Sequence, residues 1–170
     1  MFKLEKHESA ISNVNQRIER HGDERQLAAD VKFTLSAGNE LLDSIDPELK
    51  KALFRRPSKG EQQDIPGIGQ ALTAVKFPNL EPLRLSIELS GYELLIDNPL
   101  DVGEAIVLVD VKLRKFVIEP KEGGSVELSF TASANVDADE IAELSDALVR
   151  ENVRLSGTPP KAQGEQKQAA

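Results

Sequence analysis

The 170-residue chain contains no cysteine and no tryptophan, and it has only one tyrosine and two histidines. The absence of cysteine excludes disulfides, thiolate metal sites and cysteine nucleophiles, and gives no reason to expect an oxidising compartment. His7 and His21 have no second imidazole at ligand spacing, so no zinc site is recognisable. Gly67-x-Gly69 is too short for a dinucleotide-binding loop. We expect no catalytic residue, no metal and no cofactor.

Long apolar runs are missing as well. The first eight residues lack the apolar core of a signal peptide, and no later run approaches the roughly 20 residues that span a bilayer. We therefore expect a cytoplasmic protein without membrane contact.

Basic residues are fewer than acidic ones: the chain has 21 basic and 29 acidic residues, and its net charge is −8. The mean field of such a chain repels phosphate backbones and anionic headgroups, which disfavours bulk nucleic-acid binding. The net charge excludes neither a local basic patch nor a homo-oligomer.

Apolar and polar residues alternate over Leu83–Leu89, where one face of a strand would be buried and the other would meet water. Ser90-Gly91 is typical of a tight hairpin, and alternation resumes at Tyr92. The next strand changes phase after Leu113, which predicts a β-bulge near Arg114 and Lys115. Further strands are predicted at residues 11–20 (an edge strand), 29–35, 126–130 and 152–156.

Two segments have helical spacing instead. Residues 39–53 carry an apolar stripe that Pro47 interrupts, and Asp46 is suited to capping a restarted helix. Residues 137–152 begin with an Asp137-x-x-Glu140 capping box. The fold class predicted from these patterns is α+β: a mainly antiparallel β-sheet, or a sandwich-like arrangement, with two helical segments packed on it.

One domain is predicted over residues 1–156, with a long loop at 57–76 and a disordered tail at 157–170 that has no large apolar residue. Loops of such length in a compact domain are often functional. This loop contains one apolar cluster, around Ile65 and Ile68, next to a polar stretch that includes Gln62 and Asp64. These four residues are the predicted partner-binding residues.

Three phrases of the chain resemble segments of accessory proteins from tailed phages and prophages: His21-Gly22-Asp23-Glu24 with the following Leu27–Lys32, then Asp46-Pro47-Glu48-Leu49, and then Glu119–Gly124. The resemblance implies context alone, an early or accessory protein that acts inside a bacterial host cell. It implies no catalytic residue and no activity.

Three hypotheses follow. The first is a non-enzymatic accessory protein that binds a host or phage protein, such as a defence or replication component, through the loop, the acidic surface or a sheet edge. The second is a single-stranded DNA-binding or recombination factor that uses Arg84, Lys112, Arg114 and Lys115. The third is a metal-dependent nuclease built on Glu119-Pro120-Lys121, with Asp97, Asp101 or Asp110 as the preceding acid.

Overall fold

The computed structural model describes residues 1–61 and 71–161. Within these ranges the chain forms nine strands and three helices. In chain order they are β1 (Leu4–His21), β2 (Glu24–Gly38), α1 (Leu41–Ile45), α2 (Leu49–Leu53), β3 (Phe54–Arg55), β4 (Ala74–Val75), β5 (Leu83–Leu85), β6 (Leu89–Asp97), β7 (Ile106–Lys121), β8 (Ser125–Asn135), α3 (Ala138–Val149) and β9 (Val153–Thr158).

Six of the strands close into an antiparallel β-barrel in the order β1-β2-β8-β7-β6-β9, and β5 pairs with β7 from outside this ring. Strands make up 55% of the structure and helices 14%. The predicted α+β fold, whether an open sheet or a sandwich, is therefore wrong. The two helical segments were recognised, but the sheet closes on itself, and its interior rather than a helical layer holds the main core.

Closure depends on β9, which pairs with β1 on one side and with β6 on the other. Gly157 lies opposite both Leu4 and Leu94, and a Cβ added to it would come within 3.2 Å of the Leu94 Cδ2 atom. A glycine thus allows three strands to approach closely here. The strand ends at Thr158, two residues beyond the predicted end of the domain at residue 156.

The predicted hairpin at Ser90-Gly91 is wrong. Strand β6 runs straight through both residues, and Gly91, with φ of 77°, lies at a register shift between Leu89 and Tyr92. The glycine that is typical of a tight turn takes its positive φ at a bulge instead. Strands β5 and β6 consequently pair with successive parts of β7, as Leu85 lies opposite Phe116 and Leu89 opposite Leu113.

The predicted bulge in β7 is confirmed. Its register against β8 shifts between Arg114 and Val117, and Lys115 has a φ of 55°. The extra residue turns both Leu113 and Phe116 into the barrel, where both are buried. A second bulge, which the sequence pattern did not reveal, lies at Asp110, with φ of 51°.

The N-terminal strand is longer than predicted, because β1 begins at Leu4 rather than near Ile11. Its first part pairs with β9 and its second part with β2 alone. Phe2, just before the strand, is buried and lies 5.5 Å, between ring centroids, from Phe116 and 6.0 Å from Phe130. The Tyr92 hydroxyl donates a hydrogen bond of 2.9 Å to the Phe2 carbonyl. The first residues of the chain therefore complete the aromatic core.

The helices occupy the places where the sequence predicts them. In α3 the Asp137 Oδ1 atom accepts from the Glu140 amide and the Glu140 Oε2 atom accepts from the Asp137 amide, each at 2.8 Å, which confirms the capping box. Because α3 contacts β1 and β7, which are not neighbours in the barrel, it lies across one end. No helix within the described residues has the length and apolar content needed to cross a membrane.

Residues 41–53 form two short helices with a break at Pro47. The sequence predicts this break, because Pro47 interrupts the apolar stripe. The Asp46 carboxylate accepts a hydrogen bond of 2.8 Å from the Glu48 amide, although Glu48 itself occupies the N-cap position of α2. Strands β3 and β4 then form a small separate sheet beside the turn between β7 and β8, where the Gly123 amide donates to the Thr73 carbonyl at 3.0 Å.

The closure of the barrel end by α3 can be tested with two substitutions on one helix. Leu144 is fully buried, and Leu144→Ala should lower the free energy of unfolding by about 2–5 kcal/mol through lost burial and a residual cavity. Val149 is 82% exposed, and Val149→Ala should change the free energy of unfolding by less than about 0.5 kcal/mol. Urea unfolding followed by circular dichroism measures both. Equal effects of the two substitutions would contradict the packing described for α3.

Candidate functional site

A polar face runs across the outside of β1, β2, β8 and β7. Strand pairing aligns Asn15, Asp30, Ser133 and Lys112 in one row and Asn13, Lys32, Thr131 and Arg114 in the next. The row between them, formed by Val14, Val31, Ala132 and Leu113, points into the barrel. Because side chains alternate along each strand, closure of the barrel brings these polar residues together on its outer surface.

Asp30 lies at the centre of this face. Its carboxylate accepts a hydrogen bond of 2.5 Å from the Ser133 hydroxyl and one of 3.1 Å from the Arg114 Nη2 atom, and it also pairs with Arg17. Arg114 donates from Nε to Ser133 at 3.1 Å, and Arg17 reaches Glu19 at 2.6 Å. One partly buried carboxylate therefore holds two arginines from two different strands.

This arrangement favours the ionised carboxylate of Asp30. Partial burial opposes ionisation, but the hydrogen bond from Ser133 and the charges of Arg17 and Arg114 outweigh it, so the pKa of Asp30 lies below its ordinary value. Burial likewise opposes the charge of Arg17, and its bonds to Glu19 and Asp30 outweigh that effect and raise its pKa. The network is therefore fully charged at neutral pH.

A hollow of about 380 Å³ lies on one side of Asp30. Its lining consists of Asn13, Asn15, Asp30, Lys32, Arg84, Lys115, Val117 and Thr131. Lys32, Arg84 and Lys115 come from three different strands, and within the described part of the chain none of them has an ion-pair partner. Since the charge of Asp30 is already shared by two arginines, the hollow carries an excess of positive charge. We call it the basic hollow.

A second hollow, of about 410 Å³, lies on the other side of Asp30. Its charged residues are Arg17, Glu19, Glu88, Asp110, Lys112 and Arg114. Lys112 lies 3.9 Å from Glu88, and the two arginines are engaged by Asp30 and Glu19. The charges of this second hollow are largely balanced, so the excess of positive charge is confined to the basic hollow.

The four predicted nucleic-acid-binding residues share one face, but they line two different hollows. Arg84 and Lys115 line the basic hollow, whereas Lys112 and Arg114 line the second one. The sequence pattern missed Lys32. It stands at a polar position of the alternating segment 29–35, but its place opposite Thr131 depends on long-range pairing of β2 with β8.

The predicted partner-binding residues Gln62, Asp64, Ile65 and Ile68 lie outside the described residues. Aromatic side chains that could stack on nucleic-acid bases are scarce on the surface. Six of the seven aromatic side chains are buried, and the exposed one, Phe77, lies in the loop before β5. The polar face thus offers charged groups and hydrogen-bond donors rather than aromatic rings.

The residues of the nuclease hypothesis are not brought together. Glu119 and Lys121 form an ion pair of 2.7 Å with each other, and Asp101 pairs with Arg154. Asp110 is nine residues from Glu119 along β7, a span of about 30 Å in an extended strand. Among the residues that the structure describes, no three acidic or histidine side chains are grouped as metal ligands would be.

No protein-family model, no curated protein and no solved structure matches the chain. The resemblance to phage accessory proteins therefore stays a prediction.

The depressed pKa of Asp30 predicts how stability responds to acid. A carboxylate whose pKa is lower in the folded state stabilises the fold above its unfolded pKa, about 3.9, and this contribution is lost as the pH falls through the folded value. Ser133→Ala removes one hydrogen bond and should raise the pKa of Asp30. Carboxyl NMR titration measures the pKa, and urea unfolding between pH 2 and pH 6 measures the stability.

Ser129→Ala, on the same strand, is the matched control because Ser129 does not contact Asp30 through any hydrogen bond in the described residues. It should leave the pKa of Asp30 unchanged. An ordinary pKa for Asp30 in the unsubstituted protein would contradict the network.

Proposed function

We propose that the protein is a non-enzymatic binding protein that holds the phosphate backbone of a single-stranded nucleic acid in the basic hollow. The observation that carries this proposal is the convergence of Lys32, Arg84 and Lys115 from three strands without carboxylate partners among the described residues. Amide and hydroxyl groups of Asn13, Asn15 and Thr131 line the same hollow and supply neutral hydrogen-bond partners. Phosphate oxygens are the acceptors that such a set of donors suits.

The shape of the site supports a single strand over a duplex. Its three cations surround one concavity of about 380 Å³, a volume typical of a site for a small ligand or a single nucleotide unit. A flexible strand can bend around such a concavity and bring a phosphate to each of the three cations, whereas the regular backbone of a duplex is better matched by cations spread along a stripe. Because the face lacks aromatic platforms, backbone contacts would dominate and base preference would be weak.

Net charge limits the affinity. With a net charge of −8, the rest of the molecule repels a polyanion, so binding depends on the local excess of cations and weakens steeply with added salt. We infer that this activity takes place inside a bacterial cell, as the resemblance to phage accessory proteins implies.

The proposal predicts the behaviour of the triple variant Lys32→Ala/Arg84→Ala/Lys115→Ala. Its affinity for a fluorescein-labelled thymidine oligonucleotide should fall at least roughly tenfold at low salt, because three phosphate contacts are lost. The slope of log affinity against log salt should decrease by about 2, at about 0.7 per phosphate contact with a single strand. Fluorescence anisotropy over a salt series measures both quantities.

Lys51→Ala/Arg56→Ala/Lys59→Ala is the matched control, because it removes the same charge from three exposed positions in and after α2. It should bind nearly as well as the unsubstituted protein. Equal losses in the two triple variants would show that only net charge matters, and an unsubstituted protein that fails to bind at low salt would refute the proposal.

Binding of a protein partner is the second candidate. The observation that favours it is a set of exposed apolar residues between positions 100 and 109, which lies apart from the basic hollow. The chemistry of that surface leads to a separate inference.

A further inference from the structure

Four large apolar side chains are exposed within ten residues of sequence. Leu100 is 80% exposed, Val102 64%, Val107 44% and Val109 62%. Val107 and Val109 are two residues apart on β7 and thus share a face, and Val107 lies opposite Leu95 of β6, which is partly exposed. Scattered exposed apolar residues are normal on a protein surface, but a concentrated group of them indicates an interaction site.

The loop that carries Leu100 and Val102 is held in place by specific bonds. Asn98 accepts a hydrogen bond of 3.0 Å from the Leu100 amide at its side chain and one of 3.0 Å from the Asp101 amide at its carbonyl. The Asp101 carboxylate binds Arg154 of β9. Asp101 is thus tied to β9, while Leu100 and Val102 on either side of it are exposed.

Strand β7 is open on one side along this surface. Its pairing with β8 begins at Lys112, so Val107 and Val109 belong to a stretch that, among the described strands, pairs only with β6. The second bulge at Asp110 separates this stretch from the basic part of β7. Leu100 and Val102 in the loop between β6 and β7, and Val107 and Val109 just after it on β7, are exposed residues of one hairpin, and we call them together the apolar surface. None of the four lines the basic hollow.

The charges around the apolar surface are negative. Glu93, on the same face as Leu95, Glu104 in the loop and Asp110 at the bulge have no ion-pair partner within the described ranges. Asp97 and Asp101 both pair with Arg154, and the charge of Lys6 also acts on Asp101, so these two acids are offset and the rim consists of Glu93, Glu104 and Asp110. A partner with complementary charge must therefore be basic, and the net charge of −8 would attract it over a distance.

We propose that the apolar surface binds a basic amphipathic segment of another protein, with apolar side chains against Leu100 and Val109 and lysine or arginine facing the acidic rim. A nucleic acid or an anionic membrane is disfavoured by the same rim. A second copy of this chain is disfavoured as well, because a two-fold contact would bring the acidic rims of the two copies together without basic residues to pair with them. The inference is independent of nucleic-acid binding, because no residue of the apolar surface lines the basic hollow.

The test uses an 18-residue peptide with leucine and lysine at amphipathic helical spacing, labelled for fluorescence anisotropy. The unsubstituted protein should bind it, and Leu100→Asp/Val109→Asp should weaken binding at least roughly tenfold, because an apolar contact is replaced by a desolvated charge. Leu80→Asp/Val149→Asp, which adds the same charge at two other exposed apolar positions, should bind as well as or better than the unsubstituted protein. A peptide with glutamate in place of lysine should not bind.

Folding and nucleic-acid binding are checked in the same variants. Thermal unfolding and oligonucleotide binding of Leu100→Asp/Val109→Asp should stay close to those of Leu80→Asp/Val149→Asp, so that a loss of peptide binding reports the surface itself. Equal peptide affinity in both double variants, binding of the glutamate peptide, or no binding of the lysine peptide would overturn the inference. Sedimentation that shows a dimer dissociated by Leu100→Asp/Val109→Asp would overturn it in favour of self-association.

Discussion

The pairing of β9 with both β1 and β6 is the constraint on which the rest of the structure depends. Strands β1 and β6 are held on their other sides by β2 and β7, so β9 alone turns an open sheet into a ring. Closure fixes which side chains face inward, and the aromatic rings of Phe2, Phe116 and Phe130 then pack with centroids 5.5–6.0 Å apart. Both proposed surfaces lie on the outside of this ring, on strands whose inward side chains form its core.

Asp30 explains how an acidic chain presents a basic hollow. A partly buried carboxylate needs compensating charge, and here Arg17 and Arg114 supply more than one carboxylate requires. Asp30 consequently has no remaining capacity to neutralise the cations that surround the adjacent hollow. The net charge of −8 resides elsewhere, including the acidic rim of the apolar surface. Local pairing rather than overall composition therefore determines the sign of each surface.

Features set by nearby residues were predictable from sequence, and features set by distant pairing were not. The capping box of α3 and the bulge at Lys115 depend on a few neighbouring residues, and both were identified. Closure was missed because β9 pairs with β1 across roughly 150 residues of sequence, and no local pattern encodes that contact. Gly91 shows the same limit, since a positive φ serves a hairpin or a bulge equally well. For the same reason Lys32 had no visible link to the predicted basic residues.

Strand β7 contributes to both proposed surfaces, and the bulge at Asp110 separates them. Before Asp110 its outward side chains are Val107 and Val109, and beyond it come Lys112, Arg114 and Lys115. Energetic coupling between two sites requires an element with two arrangements that both ligands bias. In the described residues β7 is held by β5, β6 and β8, and its inward side chains are buried in the core, so a second arrangement would disrupt the barrel. A nucleic-acid strand and a basic protein segment should therefore bind independently, and their joint presence would serve to bring the two partners together rather than to switch one site by the other.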